Sequence, residues 1–314
     1  MNDSLEVFDR IGLGDRRTHV SVVPGGSTAL VAEIKPNEFL GVWRRARELV
    51  DETGRWPLIT WAQGWEDFAS GGYVFNRDQF IYTDRNNGLS GDTSVDGLIA
   101  RAGKLEMSTV LEGLERGHTW FREHIGEAVE DAHTKVRARW GASPPEADLR
   151  RAATDAVHPV LGLQRYLLEW ELAQEPAPTA VASGMTAAKQ LEWTMSYMDP
   201  MPPYEPAALI LLPTAKPWEV YAYLEGLWEC PSDRLIAAAH RWHDQYGAEC
   251  MVILPGYATE LQVNCRPAEI WQAWELAREH FLIAYDTFIL HGIEVRDYAR
   301  ALMRSPHWLL NSKP

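Results

Sequence analysis

Four prolines fall in the eight residues Asp199-Pro200-Met201-Pro202-Pro203-Tyr204-Glu205-Pro206. Proline fixes φ and carries no N–H, so neither a helix interior nor an inner strand runs through such a stretch. The chain is therefore expected to be extended and exposed here. The segment marks the clearest boundary: a mixed region 1–198, a linker 199–206, and a C-terminal module 207–314.

The patterns after the linker are crisp. Ala208 to Leu212 is an apolar strand. A short helix follows Pro217. Pro231-Ser232 opens a longer helix whose Leu235, Ala239, Trp242 and Tyr246 share a face, and Gly247 closes it. Glu249 to Leu254 and Thr259 to Cys265 flank Pro255-Gly256-Tyr257-Ala258, the signature of an antiparallel hairpin. A helix after Pro267 turns Ile270, Ala273, Trp274, Ala277 and Phe281 inward, and Glu294 to Met303 forms the last helix.

Upstream, Thr18 to Val23 and Thr28 to Ile34 flank a Pro-Gly-Gly-Ser turn and read as a second hairpin. A helix capped by Asn37 is expected to run to about Glu52, before a buried strand at Leu58 to Trp61. Residues 62–107 are rich in Gly, Asp and Asn, so little regular structure is expected beyond a strand at Phe80-Ile81-Tyr82. A long helix begins at Ser108, with Val110, Leu114, Phe121, Ile125, Ala128, Ala132 and Val136 as its stripe, and Gly141 stops it. The next helix breaks at His158-Pro159. A shorter one spans Thr186 to Tyr197. The fold class is thus α+β: a small C-terminal module with a helix-covered hairpin, joined to a larger mixed region rich in long helices.

With 46% apolar residues the chain can bury a real core. No apolar run approaches the ~18 residues of a membrane span. The acidic start, Met1 to Glu6, lacks the apolar stretch of a secretory signal, and a cytoplasmic location is expected. Cys230, Cys250 and Cys265 are too few for a disulfide framework and read as reduced, buried thiols. The net charge of −14 repels phosphate backbones, so neither nucleic acid nor membrane is an expected partner. Arg44-Arg45-Ala46-Arg47 lies beside Glu48, Asp51 and Glu52 and reads as a solvated helix face.

The C-terminal blocks resemble a known family. They are Leu212-Pro213-Thr214-Ala215-Lys216-Pro217-Trp218, Glu229-Cys230-Pro231-Ser232, Arg241 to Glu249, Glu260-Leu261-Gln262-Val263, Arg266-Pro267-Ala268 and Leu276 to Phe281. In order and spacing they resemble the domain-of-unknown-function family 4253 over about residues 207–307. Glu52-Thr53-Gly54-Arg55-Trp56-Pro57 is similar to its longer members. Two places depart from the family pattern. Its Tyr-Cys-Pro-Asp stands here as Ile283-Ala284-Tyr285-Asp286, and its aromatic final strand stands as Trp308-Leu309-Leu310-Asn311. The resemblance implies a fold and assigns no activity.

Candidate chemistry is sparse. His240 and His243, at i and i+3, with Asp244 beside them, have the spacing of a partial metal or hydrolase site, with Glu229 or Glu260 as a further ligand. The ordinary reading is helix-face histidines, because paired Cys and His-Glu-x-x-His patterns are both missing. Glu130-x-x-His133 lacks the second copy that a di-iron site needs. Asp84-Arg85-Asn86-Asn87-Gly88 has its glycine in the wrong place for a calcium loop and reads as a turn. No cofactor and no metal are expected. The leading expectation is a non-enzymatic binding or regulatory module for a basic protein or peptide, recognised by Trp218, Trp228, Glu229, Glu260 and Trp271. The alternatives are a hydrolase on the His240, His243 and Asp244 face, and an anti-toxin or anti-defence factor that covers a basic surface.

Overall fold

The computed structural model describes residues 6–62, 64–70, 91–117, 120–174 and 187–313. The expected strand at Phe80-Ile81-Tyr82 and the turn at Asp84 to Gly88 lie outside them. The protein is a mixed helix and sheet structure, the α+β class expected. Two compact units divide the chain. The first comprises Met1–Met107, Pro200–Cys265 and His307–Pro314, and the second Ser108–Asp199 and Arg266–Pro306.

The first unit is built on one seven-stranded sheet. Its strands are β1 (Thr18–Val22), β2 (Thr28–Ile34), β3 (Trp56–Trp61), β4 (Ala207–Leu212), β5 (Glu249–Leu254), β6 (Ala258–Gln262) and β7 (His307–Asn311). They lie in the order β1-β2-β4-β3-β5-β6-β7. All pairs are antiparallel except β3 with β5. The apolar runs of β3 and β4 are explained by burial of every residue in both strands.

Helices and rings cover the face of the sheet that carries Leu261 and Trp308. The rings of Trp242 and Tyr246, from helix Ser232–Tyr246, meet Trp308 at 6.3 and 5.6 Å. Gly247, at φ 60, ends this helix and returns its N–H to His243 O. From helix Phe39–Arg47, Trp43 packs edge-on against Trp56 and donates its Nε1–H to Pro57 O at 3.0 Å.

The second unit is helical. Val129, Ala132, Val136 and Trp140 pack against Leu149, Ala153, Leu163 and Leu167 from the next two helices, Glu146–Asp155 and Pro159–Ala173. Pro159 occupies the first turn of its helix, which accounts for the break expected at His158.

Several expectations are corrected. The long helix from Ser108 is three segments, Met107–Gly117, Trp120–Glu123 and Ile125–Trp140. His124 leaves the helical region at φ −109 and ψ 18; after it the expected Ala132 and Val136 are buried with Val129, and Ile125 and Ala128 pack against the same cluster. Within 62–107 the helices Trp65–Ser70 and Val95–Ala102 form. Ser94 caps the latter by accepting from Gly97 N at 3.0 Å. Asn37 caps nothing, since a 3-10 turn at Pro36–Glu38 precedes the helix and Glu38 accepts from Lys35 N. The helix also ends early, at Arg47, and a short one follows at Val50–Thr53. Cys265 is exposed rather than buried.

The expected division into 1–198 and 207–314 is not the one the contacts draw. A boundary falls at Asp199, but β4 lies between β2 and β3, and helices from both parts of the chain form the second unit. Nothing local in a strand's sequence encodes which distant strand it pairs with.

Candidate functional site

The β5–β6 turn gathers side chains at one end of the sheet. Gly256, at φ +75, holds a conformation that L side chains rarely adopt. Its N–H donates to Glu225 O at 3.2 Å, and its carbonyl accepts from Trp228 N at 3.0 Å. A Cβ at this position would stand 3.1 Å from Glu225 Oε2 and 3.8 Å from Trp228 Cε3. The positive φ is what calls for glycine; a Cβ would press on the flexible end of Glu225 and stand at ordinary contact distance from Trp228.

The same turn reaches β7. Tyr257 O accepts from Ser312 N at 2.7 Å, and Ser312 Oγ accepts from Glu229 N at 3.3 Å. Backbone bonds and the Ser312 hydroxyl therefore tie the main chain of Trp228, Glu229, Gly256 and Tyr257 together. Tyr257 is 44% exposed. Trp228, Glu225 and Glu229 are half-buried. The Glu225 carboxylate and the Trp228 ring meet over the turn, and the backbone of Glu229 and Tyr257 adjoins them, an acidic and aromatic neighbourhood suited to a cation on an apolar stem. The sequence reading singled out Trp228 and Glu229 and missed Glu225 and Tyr257. The signal for both was the Pro255-Gly256 turn, whose sharp reversal carries its flanking residues back against the loop before helix Ser232–Tyr246.

Trp218 is placed elsewhere. Its ring stacks on His240 at 4.2 Å and 21°, and meets His243 at 4.8 Å and 50°. Lys216 Nζ lies 5.9 Å from the same ring and pairs with Glu219 at 2.9 Å. His243 Nδ1 is 3.1 Å from Ala248 O, which assigns the proton to Nδ1. His240 Nε2 stands 3.7 Å from Asp244 Oδ2, both exposed. The two histidines are thus the platform on which an indole packs.

Glu260 cannot join them. Leu261 lies opposite Trp308, whose ring meets helix Ser232–Tyr246. Neighbouring residues of a strand point to opposite faces, so Glu260 points away from that helix. It is 3% exposed and accepts from Met201 N at 3.3 Å through Oε1. Its Oε2 has no hydrogen-bond partner among the described residues. Burial pushes its carboxyl up to about 7, against a small opposing pull from Met201 N–H. A buried carboxylate steers no partner, so the surface role expected for Glu260 does not hold.

Trp271 belongs to the second unit, where the Arg165 guanidinium lies 5.8 Å from its ring. Cys250 Sγ lies 3.6 Å from Thr259 Oγ1, which bonds Tyr221 OH at 2.8 Å. Burial pushes this thiol up to about 12, leaving it unreactive. Among the described residues, no group of three or more His, Cys, Asp or Glu is arranged to hold a metal. None of the helices among them is long and apolar enough to cross a membrane.

No curated protein and no solved structure matches this chain. Residues 208–311, which carry Trp218, the histidine pair and the patch at Trp228 and Tyr257, match the model of the family described as Domain of unknown function (DUF4253).

Proposed function

We propose that this protein is a non-enzymatic binding module that takes a basic segment of a protein or peptide at the Glu225, Trp228, Glu229 and Tyr257 patch. The observation that carries the reading is the Gly256 turn, which brings the Glu225 carboxylate and the Trp228 ring together beside the backbone of Glu229 and Tyr257. Rigid aromatic side chains supply contact area at little entropic cost, and anchors of this kind dominate interface energetics. Carboxylates beside them pair with Lys or Arg and disfavour acidic competitors. The net charge of −14 adds long-range attraction for a cationic partner.

The test is fluorescence anisotropy with a labelled peptide of alternating Arg and Leu, beside its Glu-for-Arg counterpart. The basic peptide is expected to bind and the acidic one to fail. Trp228→Ala and Glu229→Gln should each weaken binding by about tenfold, the effect of ~1.4 kcal/mol at one anchor. Glu192→Gln, on an exposed helix face of the other unit, should change nothing. Equal binding by wild type and both patch variants would reject the site. The anti-toxin reading shares this chemistry and differs only in where the basic segment comes from. For the hydrolase reading, Glu260 is removed as a ligand by its position on the opposite face of the sheet.

A further inference from the structure

A cavity of about 240 Å³ opens within the helical unit. Its floor is aromatic. The rings of Phe121 and Phe281 lie 6.2 Å apart at 43°, and those of Phe281 and Phe288 lie 5.3 Å apart at 64°. Val160, Leu163 and Ile293 form walls. Aromatic and aliphatic side chains thus line the cavity, a setting suited to an aromatic ring.

The mouth is charged. Lys135 Nζ lies 2.7 Å from Asp131 Oδ2 and 3.1 Å from Glu294 Oε1. Glu294 Oε2 accepts from Arg296 Nη1 at 2.8 Å and from Gln164 Nε2. Burial opposes ionisation of Glu294, but Arg296 and Lys135 outweigh it and hold the carboxyl down at about 2. Lys135, Asp131 and Glu294 thus line the mouth as a paired cluster, with the buried Arg296 behind Glu294 and shared with Glu171. The Lys135 and Asp131 side chains are 45% and 58% exposed, so the cavity opens to solvent on their side. Gly292 lines the mouth at φ +60, and a Cβ there would meet nothing within 4 Å.

We propose that this cavity binds a small uncharged amphiphile: one aromatic ring on a short chain that ends in a hydroxyl or amide. Its volume lies below the ~300–1,000 Å³ of pockets for drug-sized ligands, which limits the occupant to about one ring and its tail. A charged head would compete for side chains of the mouth that already pair with one another, Lys135 with Asp131 and Glu294, which is costly. An ammonium has three donors, and two of those on Lys135 are used. The third N–H meets a hydroxyl or carbonyl oxygen of the ligand. The exposed Asp131 carboxylate accepts the hydroxyl hydrogen.

Titration calorimetry of the intact protein with 3-phenylpropan-1-ol, 3-phenylpropanoate and 3-phenylpropylammonium tests this. The alcohol is expected to bind saturably, and each ion at least tenfold more weakly. Val160→Phe should fill the cavity and abolish alcohol binding at an unchanged melting temperature. Lys135→Met keeps the floor but leaves the mouth with excess negative charge. It should weaken the alcohol at least fivefold and strengthen the ammonium relative to wild type. The Lys135 variant decides alone if the Val160 variant fails to fold. No saturable alcohol binding, carboxylate binding equal to that of the alcohol, or unchanged affinities in the Lys135 variant would each overturn the proposal.

Discussion

Three of the four residues Thr259-Glu260-Leu261-Gln262 are polar, a composition expected of a strand with a wet face. The strand is instead covered on both sides, and Glu260 is buried with its neighbours. Polar composition does not say what covers a strand, so this burial was not legible. Its consequence is a pH-dependent stability. The Glu260 carboxyl titrates at about 7 when folded, against an ordinary 4.5. Between those values the folded state holds a proton that the unfolded state has released. The stabilisation is therefore full below about pH 4.5 and is lost as pH rises through about 7, a change of order 3 kcal/mol. Glu260→Gln mimics the protonated form and does not titrate. It is expected to match wild type in urea unfolding at pH 4 and to exceed it by about 3 kcal/mol at pH 8. The same difference at both pH values would show that the carboxyl is not perturbed.

At the scale of elements, helix Val295–Leu302 reverses its apparent orientation. Arg296, Asp297 and Arg300 look like a solvated face, yet Arg296 and Asp297 are buried. Arg296 Nε bonds Glu171 Oε1 at 2.9 Å, and Arg300 Nη1 lies 2.9 Å from Glu171 Oε2. Arg139 Nη1 is 3.7 Å from Glu171 and pairs with Asp297 through both oxygens, at 2.8 and 2.9 Å. Glu171 thus serves three guanidinium groups away from water. Glu171→Gln would leave them short of one charge and should cost about 3–5 kcal/mol in urea unfolding. Arg165→Ala, which removes the exposed cation over Trp271 and its surface pair with Glu169, should cost under ~1 kcal/mol. Costs of similar size would mean that the network is wet. Burial raises the Glu171 carboxyl, but Arg296, Arg300 and Arg139 together lower it, and Glu294 is held at about 2. Depressed carboxyls contribute stability above their unfolded value of about 4.5 and lose it as pH falls towards 2. Acid unfolding in that window should therefore be shallower in Glu171→Gln. Helix ends were easier to read than helix faces. Gly247, Gly141 and Pro159 act through their own backbone, whereas Glu171 and Gln164, which bond Arg296, lie more than a hundred residues away from it.

Across the whole molecule, the segment matching the family model is woven into both units. Residues 208–311 supply β4 to β7 of the sheet and the helices Ile270–Ile283 and Val295–Leu302 of the helical unit. Read by itself, the proline-rich segment suggests a hinge before a separable C-terminal third. Met201 and Tyr204 are exposed and open to proteases. Yet Ala207–Leu212 follows at once and pairs along its length with β3 on one side, and with Thr28–Ile34 of β2 on the other. Cutting the linker leaves those ladders intact. Limited chymotrypsin digestion is therefore expected to nick the chain near Tyr204 and to yield two pieces that elute together in gel filtration, separating only in denaturant. Residues 207–314 expressed alone would expose both edges of β4 and strip Arg296 of Glu171 and Gln164. That fragment should show no cooperative unfolding by circular dichroism, and adding residues 1–206 in trans should restore it. A fragment that melts cooperatively on its own would mean that the strands from β4 onward form a self-sufficient domain, and that the pairing of β4 with β2 and β3 adds little to its stability.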